Sequence, residues 1–151
     1  MDWAAFAQQA PALAAFGEER FARTGPALVG TLRRDGWPRI SPVEIHLIDG
    51  HLYLGMEWRT LKALDLMRDP RITVHSVFAG RQGAEGEFMV FGRATDVRSP
   101  ARRVRFGAVV SERRGEPFTD SESHLFEVDI ESATSVTIED GERSIEMWKA
   151  D

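Results

Sequence analysis

The sequence contains no cysteine. That excludes disulfides, thiolate metal sites and cysteine nucleophiles. Positive charge is also in deficit. Lysine and arginine together number 19 against 24 acidic residues, for a formal net charge of −5. A chain with that balance has no global attraction to nucleic acid or to an anionic membrane. Long apolar runs are missing, and no stretch approaches the about 20 residues that a membrane-spanning helix needs. Residues 1–21 lack the basic start and continuous apolar core of a secretion signal. These absences leave a cytoplasmic protein as the expectation. With no repeat, low-complexity tract or linker, residues 1–151 read as one domain. The remaining composition, 42% hydrophobic and 28% charged, is that of an ordinary globular chain.

Along the chain, Asp2 can cap a first helix in which Trp3, Phe6, Ala7 and Ala10 recur at helical spacing. Pro11 predicts a kink or restart there. Strands follow over Ala27 to Arg33, Arg39 to Ile48 and His51 to Met56, separated by Asp35-Gly36 and Asp49-Gly50. Asp-Gly is a strong hairpin signal because both residues tolerate positive φ. Thr60 then opens a helix with Leu61, Leu64 and Met67 on one side, which Asp69-Pro70 ends. A fourth strand is expected over Ile72 to Phe78, a glycine-rich loop over residues 79–86 and a fifth strand over Glu87 to Val97. Ser99-Pro100 begins another helix. After a polar loop over residues 115–123, His124 to Ile130 alternates as a strand. Ser135 to Ile138 and Glu142 to Trp148 form a last hairpin around Asp140-Gly141. Seven or eight strands with three short helices predict a mainly β protein, closed as a barrel to remove sheet edges.

Two places carry chemistry. On the second strand, Arg39, Ser41, Val43, Ile45 and Leu47 share one face. An arginine and a serine at the end of an apolar stripe suit a ligand with a flat ring and an anionic tail, although a solvated strand end would show the same residues. At the start of the helix after the third strand, Arg59, Thr60 and Lys62 cluster where free N–H groups and the helix dipole favour an anion. Trp37 and Trp58 flank the two places and can stack on a ring. Histidines 46, 51, 75 and 124 show no metal-ligand spacing. Ser111, Ser121 and Ser123 have no nucleophile-elbow context. The glycines from Gly80 to Gly86 precede a strand, whereas a phosphate loop must precede a helix. No catalytic residue is therefore assigned.

Four segments, Gly36 to Val43, Asp49 to Leu54, Thr60 to Arg71 and Glu87 to Ala94, together resemble the core of the pyridoxamine 5'-phosphate oxidase-like family. The resemblance implies a split β-barrel of the FMN-binding type and a homodimer with two cofactors at the subunit interface. It implies a flavin-type oxidoreductase moving a hydride between FMN, or the deazaflavin coenzyme F-420, and a small organic substrate. By position it implies that Arg39, Ile40, Ser41 and Val43 lie along the cofactor and that Met56, Trp58, Thr60 and Lys62 grip its ribityl and phosphate. Glu87 then reaches in from the next strand, and Trp148 is the terminal aromatic near the partner's cofactor. Leu61 stands where many such proteins carry a second basic residue, and Glu87 where some carry glutamine. The Arg-x-His motif that pyridoxamine phosphate oxidases use on substrate is missing, so vitamin B6 oxidation is not expected. Two alternatives stay open: a non-catalytic haem or tetrapyrrole binder, which would need His75 or His46 facing inward, and a cofactor-free structural dimer.

Overall fold

Turn chemistry sets the strand order. At Asp49-Gly50 and Asp140-Gly141 both residues take positive φ (50° and 80°, 51° and 82°). Each joins paired strand ends directly, Ile48 to His51 and Glu139 to Glu142. Asp35-Gly36 behaves differently. Only Gly36 takes positive φ, and residues 33–37 form a wider loop between the paired ends Leu32 and Pro38. The computed structural model describes residues 1–78, 80, 85–118 and 123–151. The loops expected over 79–86 and 115–123 fall partly outside these.

The elements in chain order are α1 (Trp3–Gln9), α2 (Pro11–Thr24), β1 (Pro26–Leu32), β2 (Pro38–Ile48), β3 (His51–Glu57), α3 (Leu61–Arg68), β4 (Arg71–His75), β5 (Glu87–Asp96), α4 (Pro100–Arg114), β6 (Ser123–Glu139) and β7 (Glu142–Lys149). Pro11 restarts the helix. It opens α2, where its missing N–H has no partner to lose, so the described residues hold four helices where three were expected. The fourth strand stops at His75, short of Phe78. The two strands expected over 124–130 and 135–138 are one, β6. Its register against β5 shifts where Phe91 faces Ser132 and Gly92 faces Ile130, which leaves Glu131 as an extra residue. That bulge lets β6 bend without breaking. Gly92 is required there, since a Cβ would lie 2.1 Å from the Asp129 carbonyl oxygen.

The strands form one antiparallel sheet in the order β3-β2-β1-β4-β5-β6-β7, and β3 also pairs with β6. Strands β1 to β6 thus close a six-stranded barrel, and β7 extends it from the far half of β6. Val29, Leu52, Leu54, Val74, Val90, Phe126, Val128 and Ile130 belong to its main core cluster. Helices α1 and α2 bring Trp3 and Phe21 against the fully buried Phe88. Helix α4 buries Phe106 and Val110 in a second cluster with Ile48, Tyr53, Val97 and Leu125. Arginines tie α4 down. Arg102 bonds Tyr53 and Glu127, Arg105 pairs with Asp49, and Arg114 pairs with Glu44. No helix among the described residues is long and apolar enough to cross a membrane.

Candidate functional site

On β2 the inward face begins with the half-buried Arg39 and Ser41 and continues to the buried Val43. Arg39 is not simply a solvated strand end: it is partly buried and paired. Its Nε donates to Oδ2 of Asp65 at 2.7 Å. The Thr31 hydroxyl donates to the same oxygen at 3.1 Å, and Arg68 reaches Oδ1 at 3.4 Å. The Asp65 side chain is only 6% exposed. Burial pushes its carboxyl up, but the hydrogen bonds from Arg39, Thr31 and Arg68, with the Arg39 charge, outweigh that and hold it below the usual carboxylate range.

Above this pair lies an open groove of about 860 Å³ between the β1–β2 turn and α3. Four arginines (Arg33, Arg34, Arg39 and Arg68) line it, with Leu61, Leu64, Asp35 and Asp65. Leu61 and Leu64 are themselves partly exposed, at 63% and 38%. The groove therefore offers apolar surface rimmed by guanidinium groups, the pattern that suits a ligand with an apolar body and an anionic end.

The groove runs to the start of α3. Thr60 sits at the N-cap position with extended geometry but makes no side-chain cap. Its hydroxyl donates instead to the Glu57 carbonyl at 3.2 Å. First-turn N–H groups are thus left without a side-chain acceptor, and Lys62 stands among them. Just before the helix, Met56 is buried and Trp58 is 56% exposed. Trp58 stacks on His124, with centroids 4.4 Å apart and planes 10° apart. His124 lies opposite Met56 in the β3–β6 register. Sequence reasoning passed over His124 because its neighbours lie 66 and 68 positions away.

The other expected residues lie elsewhere. Ile40 points to the outer side of the barrel. Glu87 shares that outer side on β5, which β1 and β4 separate from β2, and its carboxylate lies 3.4 Å from His75 Nε2. Trp148 packs on Phe6 at 4.8 Å between centroids. The ten residues thus fall into a β2 group (Arg39, Ser41, Val43), of which Arg39 lines the groove, a helix-start group (Met56, Trp58, Thr60, Lys62) and three outliers. Neither His46 nor His75 faces the barrel interior. His46 packs edge-on against Phe106 beneath α4. Its burial, aided by Arg113 and Arg114 and opposed by Glu44, lowers its pKa from the ordinary value. His75 lies on the outer face. Among the described residues no group of three or more histidines and carboxylates could hold a metal ion.

No protein-family model matches the chain, and no curated protein matches it. Solved structures do. A conserved hypothetical protein from Mycobacterium tuberculosis superposes with a TM-score of 0.68 at 22% identity, covering 80% of this chain and 82% of that one. A haem-binding protein from Mycobacterium smegmatis gives 0.66 at 19% identity, over 87% of this chain and 57% of that one. A pyridoxinephosphate oxidase-family protein from Clostridium acetobutylicum, related to general stress protein 26 of Bacillus subtilis, gives 0.65 at 15% identity, over 88% and 91%. Identities this low speak to fold, and the fold is the split β-barrel of the pyridoxamine 5'-phosphate oxidase-like proteins.

Proposed function

We propose that this chain is a homodimeric, flavin-type oxidoreductase that uses FMN or the deazaflavin coenzyme F-420 to move a hydride to or from a small organic substrate. The observation that carries this reading is the arginine-rimmed groove beside the uncapped start of α3. Arg39 and Lys62, with Thr60 and the first-turn N–H groups, would hold a phosphate-bearing tail. Val43 and Met56 would border the ring, and Trp58 would shape the space over it. When bound, the cofactor supplies the redox chemistry. The chain's own residues would bind and orient it.

The second copy would cover the outer sheet face. There Ile40, Leu28, Phe91, Ile145 and Met147 are exposed at 71%, 38%, 40%, 51% and 77%. Cross-strand register places them on one side of neighbouring strands. An apolar face of that extent marks an interaction surface. Glu87 on the same side would then face the partner's cofactor.

A second reading, haem binding, is favoured by His124, whose buried Nε2 has no hydrogen-bond partner among the described residues, and by a structural neighbour that is a haem-binding protein. The test is an absorbance spectrum of the purified protein followed by titration with FMN, coenzyme F-420 and haemin. Saturable FMN or F-420 binding that weakens in Arg39→Ala supports the main reading. A Soret band on haemin titration alone replaces it, and no binding to any of the three leaves a structural dimer.

A further inference from the structure

We propose that the cavity between the start of α4 and the β2–β3 turn is a second ligand site, which takes a small carboxylate with an apolar, ring-sized body. It lies at the end of β2 remote from the arginine groove and does not depend on the cofactor reading. The cavity holds about 300 Å³, enough for a compact ligand. Ile48, Ala101 and the rings of Tyr53 and Phe106 give it apolar walls, and Asp49, His51, Arg102 and Arg105 give it polar ones.

The polar side chains form a tight hydrogen-bonded cluster. Arg102 donates through Nε and Nη2 to the Tyr53 hydroxyl at 2.9 and 2.5 Å, and through Nη2 to Oε2 of Glu127 at 2.8 Å. Oε1 of Glu127 meets Nδ1 of His51 at 2.5 Å. Arg105 holds both oxygens of Asp49, through Nε at 2.8 Å and Nη2 at 3.0 Å. Every carboxylate oxygen of the cluster therefore has its donor. The donors are not all used. Nη1 of Arg102 and Nη1 of Arg105 have no partner among the described residues. The Tyr53 hydroxyl accepts twice and keeps its own proton to give. At most one lone pair is left over, on Nε2 of His51. A surplus of guanidinium and hydroxyl donors beside an apolar wall calls for a ligand that brings acceptors, and a carboxylate brings them with the matching charge.

Fixing α4 to the barrel accounts for the edges of Arg102 and Arg105 that face Glu127 and Asp49. It does not account for the free Nη1 groups of two arginines that line one cavity. Both side chains also reach solvent, at 37% and 58% exposure, so a ligand can meet them without the cluster opening. Their carboxylate partners hold the guanidinium groups in place beforehand, which lowers the entropy lost on binding. The Tyr53 and Phe106 rings, 5.8 Å apart between centroids, suit a flat body, and an aryl carboxylate combines that body with one anionic end.

The probe is benzoate, titrated at constant ionic strength. Tyr53 is the only tyrosine of the chain, so 3-fluorotyrosine labelling gives one fluorine resonance that reports on this cavity alone. Benzoate should shift that resonance saturably. Benzyl alcohol, the same ring without the charge, should bind at least about tenfold more weakly. Arg105→Gln should weaken benzoate about tenfold, Arg105→Lys should recover part of that loss, and Arg39→Ala, which alters only the groove, should leave it unchanged. Circular dichroism checks that each variant folds. A resonance that does not move overturns the proposal. So does benzyl alcohol binding as well as benzoate, an Arg105→Gln variant that binds unchanged, or a shift that disappears in Arg39→Ala.

Discussion

The Nε of Arg39 lies 2.7 Å from Oδ2 of Asp65, and through this pair strand β2 holds helix α3. The guanidinium expected to meet an anionic ligand already meets an anion of the chain's own. A ligand in the groove must share Arg39 and Arg68 with Asp65 and Arg33 with Asp35, or draw on Arg34.

Asp65→Asn should therefore weaken the fold and strengthen anion binding at once. Losing charge-assisted bonds to a buried carboxylate should cost about 1.5–3 kcal/mol at neutral pH. The folded-state pKa of Asp65 is depressed, so its stabilisation is complete above the unfolded value of about 4 and fades as pH falls through the lower folded value. Urea unfolding at several pH values should show a steeper loss below about pH 4 in the unaltered chain than in the variant. FMN titration should show tighter binding to the variant.

Leu61→Arg adds a fifth guanidinium where the groove presents an exposed leucine. One further charge-assisted contact should tighten FMN about tenfold or more and leave lumiflavin binding unchanged. Calorimetry on the two ligands separates tail from ring.

Gly17→Ala would raise stability on an open helix surface, where alanine is favoured by about 1 kcal/mol. Here the added Cβ would lie 2.5 Å from Cε1 of Phe88, a fully buried ring. Overpacking should win and destabilise by about 1–3 kcal/mol. Phe88→Leu in the same chain should recover part of that loss in a double-mutant cycle by chemical denaturation.

His46 should make the fold sensitive to mild acid. Its depressed folded pKa means that the unfolded chain binds the proton more readily. The stabilisation is present above about pH 6.5 and is lost as pH falls from there through the folded value. Thermal unfolding between pH 7 and pH 5 should show a smaller fall for His46→Phe than for the unaltered chain.

Phe91→Asp and Met147→Asp place charge on the outer sheet face, where both side chains are exposed. If a second copy covers this face, sedimentation velocity should show a dimer for the unaltered chain and a monomer for either variant. A monomer throughout would remove the homodimer from the functional reading.

Local chemistry was legible in the sequence; distant pairings were not. Asp49-Gly50 and Asp140-Gly141 announced their hairpins because each turn is decided by its own two residues. Pro11 marked a helix boundary for the same reason. The alternation of β2 correctly put Arg39, Ser41 and Val43 on one face. The continuity of β6 was hidden, since Glu131 to Thr134 reads as a polar break and only the bulge opposite Gly92 explains how the strand passes through it. Nothing in the sequence assigned Asp65 a role, because its partners Thr31 and Arg39 lie 34 and 26 positions away. His124 gave no signal because Met56 and Trp58, its neighbours in space, belong to a different part of the chain.

The pairing of β3 with β6 sets Tyr53 opposite Glu127, a contact that closes a loop of about half the chain. Until β6 has been synthesised, β3 and β5 both have an open edge able to pair with another chain. Such long-range closure is slow compared with hairpin formation. The protein should thus reach its folded form only after translation has passed β6, and nascent chains stalled before that point should be the species that aggregates.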